Sequence, residues 1–333
     1  MFELIAAAAL ASEPIPMFDM HLHAFKADEN GPPPNPLCLP GAGSMPAPDP
    51  AKPWPQQFMS APSLPTCTDR ETVPMDDAAL VEQTVAMLEA NHAAGVVGGY
   101  DPQLIARFVE SAGGRLLPAI QLNAAYEDPN IDEVRALLSD GGYVMLGEVT
   151  NQYGGVAPAD ERMAPWWAMA EELDVPVLYH MGGGPPGTTA FFPDFRAGLA
   201  DPTLLEPALA KHPRLRIAIA HMAEGYEGQL GLMLYAYPQL YVDIGGIMWM
   251  YDRAHLDHKL KRLVDMGFAN RVMVGSDQMV WPGMIGRARK FVMEADYLTD
   301  EQKRMILFDN AMRFMKLDGE EWARIALGEK DEN

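Results

Sequence analysis

Eight short apolar segments, each followed by a stretch of helical period, predict an α/β chain closed as a (β/α)8 barrel. The segments are rich in β-branched residues and show no polar face, as strands covered on both sides should. The 333 residues suit either one large barrel or two ordinary domains. A doubly wound open sheet is the competing architecture, but no G-x-G-x-x-G turn opens the first helix.

The chain opens MFELIAAAALASEP, a short apolar run ending in small residues. It resembles the later part of a secretory signal peptide, although Glu3 stands where a basic residue belongs. Residues 1–15 are therefore set apart as a signal remnant or plain N-terminal segment, and residues 16–333 form one barrel domain. The first strand is FDMHLH at 18–23. Residues 30–75, crowded with proline and glycine, then form a lid-like insertion that excludes regular helix and central strand. Cys38 and Cys67, the two cysteines of the chain, both fall in it. A disulfide between them would brace a loop with little core of its own and would need an oxidising compartment. Export to the periplasm is expected on that ground, with the cytoplasm as the alternative. Two unrelated buried thiols are the alternative reading.

Beyond residue 75 the alternation is regular. Asp76 or Asp77 caps a helix that runs to His92, and Gly95 stops it before the strand VVGG. DPQLIARFVESAGG is a helix with an Asp-Pro start, LLPAIQL a strand, NIDEVRALLSDGG a helix and YVMLGEV a strand. A helix over 158–173 leads to the strand VPVLYH, and PTLLEPALAKH leads to LRIAIAH. The helix 226–236 precedes LYVDIGG, the helix 253–266 precedes RVMVGSD, and 283–326 is mostly helical.

Charge narrows the partners. Lys plus Arg number 25 against 46 Asp plus Glu, a net charge of −21. That balance disfavours nucleic acid and anionic membrane surfaces. No apolar run reaches the roughly 18 residues of a spanning helix. The expected partner is a small molecule.

In a barrel of this kind, chemistry sits at the carboxyl ends of the strands. Four of the eight histidines fall there: His21 and His23 on the first strand, His180 on the fifth and His221 on the sixth. Glu148 ends the fourth strand and Asp277 the eighth. His21 and His23 are two residues apart, so strand alternation points both into the barrel mouth. One such histidine alone reads as a satisfied core residue. Four with two acids at equivalent positions read as a metal site for nitrogen and oxygen ligands, with zinc the default and manganese or iron the alternatives. Asp19 has the parity of His21 and is expected one layer deeper, bonded to a ligand or held as a structural carboxylate.

The segments FDMHLH, GE, LYH, IAHM and VGSD together resemble the amidohydrolase superfamily, in its amidohydrolase-related (amidohydrolase 2) branch. DPTLLEPALAKHPRLRIAIAHM, YPQLYVDIGGIMW, RVMVGSDQMVWP and QKRMILFDNAMRFMKL extend the resemblance over residues 16–317. The resemblance implies a distorted TIM barrel carrying one or two divalent metals. It implies that His21, His23, His180 and Asp277 are ligands. His221 would bind a second metal or orient the water, and Glu148 would bridge two metals. The expected reaction is hydrolysis of an ester, lactone, amide or related bond, with Asp277 moving the proton and His221 assisting. A decarboxylase on the same scaffold and a non-catalytic binding protein are the rivals. Barrel enzymes of this type often form homodimers.

The loops past the strands carry Lys26, Tyr153, Arg196, Trp249 and Trp281 as candidate substrate contacts, with aromatic packing under long loops as the competing reading. GGGPP at 182–186 reads as a turn needing positive φ rather than a phosphate cradle, since no G-K-[ST] follows.

Overall fold

The structure, a computed structural model, describes residues 14–40, 47–59, 69–126 and 130–329. Cys67 and most of the 1–15 segment lie outside the described residues. The (β/α)8 architecture is present. The barrel strands are β1 (Met17–His23), β4 (Ala93–Gly99), β5 (Leu116–Leu122), β6 (Met145–Val149), β7 (Val177–Tyr179), β8 (Ile217–Ile219), β9 (Leu240–Asp243) and β10 (Val272–Met273), all parallel in that order. The seam between β10 and β1 is closed by single bonds rather than a ladder. Met20 N–H donates to the Val274 carbonyl at 3.0 Å and Asp277 N–H to the His21 carbonyl at 2.8 Å. The Gln278 side chain pairs with both backbone groups of His23 beside them.

The helices begin where the sequence supplies caps. Asp76 accepts from Ala79 N–H at the start of α2 (Asp77–Ala90), and Asp101 caps α3 (Pro102–Ser111), whose first residue is a proline that lacks only an orphan donor. Around the barrel follow α4 (Ile131–Ser139), α5 (Ala164–Glu172), α6 (Glu206–Lys211), α7 (Glu227–Ala236), α8 (Ile247–Met250), α9 (Arg253–Asp265) and α10 (Gly283–Met293). The C-terminal α11 (Asp300–Arg304), α12 (Asn310–Met315) and α13 (Gly319–Leu327) complete the chain. No helix among the described residues is long and apolar enough to cross a membrane.

Two apolar layers result. The larger fills the space between strands and outer helices, with Leu22, Val97, Leu146, Val177, Ile217 and Val242 facing outward. The smaller lies inside the barrel at its amino end. There Phe18, Met20, Val96, Met145, Leu178 and Met273 meet Phe308, Phe314 and Trp322 of the C-terminal helices.

The structure corrects two expectations. The insertion holds regular elements: an antiparallel ribbon of β2 (Pro36–Cys38) and β3 (Arg70–Thr72), and the short α1 (Trp54–Met59). Proline is admitted because Pro36 opens a two-stranded ribbon and Pro55 falls in the first helical turn, where its missing N–H has no intrahelical partner. Cys38 is buried and disulfide-bonded. The second correction concerns Asp19. Pairing with β4 shifts by one residue between Asp19 and Leu22, so a bulge resets the alternation. Phe18 and Met20 face inward below the bulge, His21 and His23 above it. Asp19 bonds no imidazole. Its Oδ1 accepts from the backbone N–H of His21 and of Ser276, and burial pushes its pKa up to about 6.

Candidate metal centre

His180 directly follows the last residue of β7, His221 stands two residues past β8 and Asp277 four past β10. The backbone at His221 and Asp277 is left-handed, with φ of 60° and 48°. Non-glycine residues there carry strain that surrounding packing must hold. His221 begins a run of three such residues, ending at Ala223. These turns aim the side chains inward where a continued strand would alternate them. Gly184 has the positive φ expected of the 182–186 turn.

The six side chains singled out in the sequence converge, all buried. Glu148 Oε1 lies 2.7 Å from His180 Nδ1, 3.1 Å from His221 Nε2 and 3.7 Å from His21 Nε2. His180 Nδ1 and His221 Nε2 are themselves 2.9 Å apart. Asp277 Oδ1 lies 3.0 Å from His23 Nε2 and 3.7 Å from His21 Nε2. His21 Nε2 has no hydrogen-bond partner although it points between the two carboxylates. Buried polar atoms seldom stay unpartnered without a reason. Nitrogen and carboxylate donors packed this closely, with an orphaned imidazole nitrogen among them, fit a divalent ion.

Electrostatics agree. Burial opposes charge on His21, but Asp243, Asp277 and Glu148 hold its pKa well above the usual histidine range. Burial likewise opposes charge on His221, yet its bond to Glu148 pushes it up to about 9. Burial, helped by the His221 charge, keeps His180 low. Glu148 and Asp277 stay ionised despite burial because imidazoles surround them. The cluster is a nest of negative charge balanced by protons, which a cation can displace.

The amidohydrolase family profile matches residues 18–317. The chain belongs to the amidohydrolase family. No curated protein sequence matches this chain. Solved structures resemble it in fold. An uncharacterised TIM-barrel protein from Bordetella bronchiseptica is 17% identical, with 72% of this chain and 82% of that one covered and a TM-score of 0.55. A probable 2-pyrone-4,6-dicarboxylic acid hydrolase from Acinetobacter baumannii, with citric acid bound, is 13% identical, with 90% and 99% covered and a TM-score of 0.54. A 5-carboxyvanillate decarboxylase from Novosphingobium aromaticivorans, complexed with manganese and 4-hydroxy-3-methoxy-5-nitrobenzoic acid, is 17% identical, with 72% and 80% covered and a TM-score of 0.52. The solved structures that share the fold thus include a probable hydrolase and a decarboxylase.

The candidate substrate contacts scatter more widely. The Tyr153 ring lies 4.7 Å from the His180 ring and packs against Phe192 and Phe195. Trp249 donates its indole N–H to the Ser276 carbonyl, and Trp281 donates to Asn35 of the insertion. Arg196 aims Nη1 at the Pro193 and Phe195 carbonyls, and Lys26 is exposed. Sequence reasoning overlooked Asp243, which ends β9. It is fully buried and lies 2.9 Å from His21 Nδ1. An acid closing an apolar strand directly before Ile-Gly-Gly was the available signal.

Proposed function

We propose that this protein is a metal-dependent hydrolase that cleaves an ester, lactone, amide or related bond of a small organic substrate. The position of Glu148 supports this reading best. Three groups of side chains lie close enough to share an ion: His21, His23 and Glu148; Glu148, His180 and His221; and His21, His221 and Asp243; Glu148 belongs to the first two. A carboxylate shared between two ligand groups suits a pair of ions better than one. Zinc fits such nitrogen and oxygen donors, with manganese the alternative. A bound divalent ion would supply Lewis acidity, polarising an acyl oxygen and making water acidic near neutral pH.

The chain's own groups do the rest. Asp277, ionised and buried at the centre, accepts a proton from the attacking water and returns it to the leaving group. His221 is tethered through Nδ1 to the Gly245 carbonyl at 2.8 Å, which keeps Nε2 aimed at Glu148. The Tyr153 ring covers His180 and keeps bulk water from that side. A decarboxylase is the second reading, favoured by the likeness in fold to the manganese-bound 5-carboxyvanillate decarboxylase.

The test is metal analysis of the purified protein, then assays on lactones, amides, phosphoesters and aryl carboxylates. Hydrolysis with bound metal is the expected outcome. Release of carbon dioxide without hydrolysis would move the protein to the lyases. Asp277→Asn should keep most of the metal and lower kcat by about 10²- to 10⁴-fold. An unchanged kcat in that variant removes Asp277 from the proton path.

A further inference from the structure

We infer that Asp243 is a positioning residue that makes His21 a nitrogen donor by deciding which ring nitrogen carries the proton. The inference rests on the metal-centre reading above. Asp243 Oδ2 lies 2.9 Å from His21 Nδ1. Its Oδ1 accepts from the backbone N–H of His221 at 3.1 Å and of Gly245 at 2.8 Å. An ionised carboxylate only accepts, so His21 Nδ1 must hold a proton. When a cation displaces the other proton, the lone pair is left on Nε2, the atom that faces Glu148 and Asp277.

Asp243 stands behind His21 as seen from the other donors, facing Nδ1 while they face Nε2. Its oxygens lie near His221 as well as His21, but three hydrogen bonds already occupy them. Nothing bulkier fits beside it: a Cβ at Gly245 would lie 2.8 Å from His21 Nδ1. Through Oδ1 the same carboxylate holds the amide of His221 at the start of the left-handed run. One buried group thereby sets the ring orientation of one donor and the backbone of another.

Asp243→Asn separates these duties. The asparagine oxygen can still accept from His221 and Gly245. Its NH₂ then faces His21 Nδ1, which must become an acceptor, and the proton moves to Nε2. Zinc affinity of metal-stripped protein, measured by competition with a chromogenic chelator, should fall about 10- to 100-fold. The Tm of the metal-free variant should stay within about 4 °C of the parent. In zinc-loaded parent protein, heteronuclear NMR should show His21 Nδ1 protonated. Unchanged zinc affinity in the variant would overturn the inference while leaving the metal centre standing. An unprotonated Nδ1 in the parent would overturn it even if the variant failed to fold. A parent that binds neither zinc nor manganese would instead remove the metal-centre reading itself.

Discussion

The two ends of the barrel interior are built from the same strands and share almost no chemistry. At the amino end Phe18, Met20, Val96, Met145, Leu178 and Met273 close against Phe308, Phe314 and Trp322. One layer above, His21, His23, Glu148, His180, His221, Asp243 and Asp277 occupy the same tube, also buried. The lower end gains stability from apolar burial. The upper end buries charge, which costs stability unless it is paired. Stability and chemistry are thus separated by about one turn of strand. A bulge in β1 marks the boundary, because it lets apolar and ligand side chains point inward on either side of it.

The separation can be broken from either end. The largest effect is expected from Trp322→Ala, which removes the ring packed edge-on against Phe18 at 5.3 Å. Denaturant unfolding should show a loss of about 3–5 kcal/mol, with kcat per folded molecule unchanged. A fall in kcat would show that the layers are coupled. Next comes Glu148→Gln. Losing the shared carboxylate should lower metal affinity and activity by at least about a hundredfold, while the metal-free protein keeps its Tm. Destabilisation there instead would mean that the cluster serves folding.

The smallest effect probes the rim of the apolar end. Asp174 is exposed, and what little desolvation it suffers raises its pKa, but Lys316 and Arg216 outweigh this and hold it below 3.8. A depressed folded pKa gives stability that is present above 3.8 and lost as pH falls through the folded value. Asp174→Asn should therefore cost under about 1 kcal/mol at pH 7, the pair being solvent-screened. Parent and variant should converge as pH drops below 3.8 in acid-unfolding titrations.

Much of this was legible in the sequence, for physical reasons. Strands buried on both faces leave continuous apolar runs, so all eight were found, Leu116–Leu122 with its bounds intact. Polar residues closing such runs stand out, which brought out the six side chains that converge at the barrel mouth. The misses have reasons too. Asp19 is the buried structural carboxylate that one of its two readings expected, but strand alternation could not give its parity, because a bulge leaves no mark in composition. RVMVGSD and LRIAIAH read as long strands, yet pairing stops at Met273 and Ile219. The backbone turns left-handed there to aim Asp277 and His221, and that turn is a tertiary property. Asp243 escaped because a single acid beside two glycines resembles an ordinary strand end.

The seam between the last strand and the first adds a mechanical consequence. It runs directly beneath His23 on one side and Asp277 on the other, joined by a few isolated bonds and the Gln278 side chain. An ion gripping both residues would act as a clasp across the weakest junction of the tube. Loading the site would then tighten the closure of the barrel, and stripping it would let the structure start to unzip between its two ends.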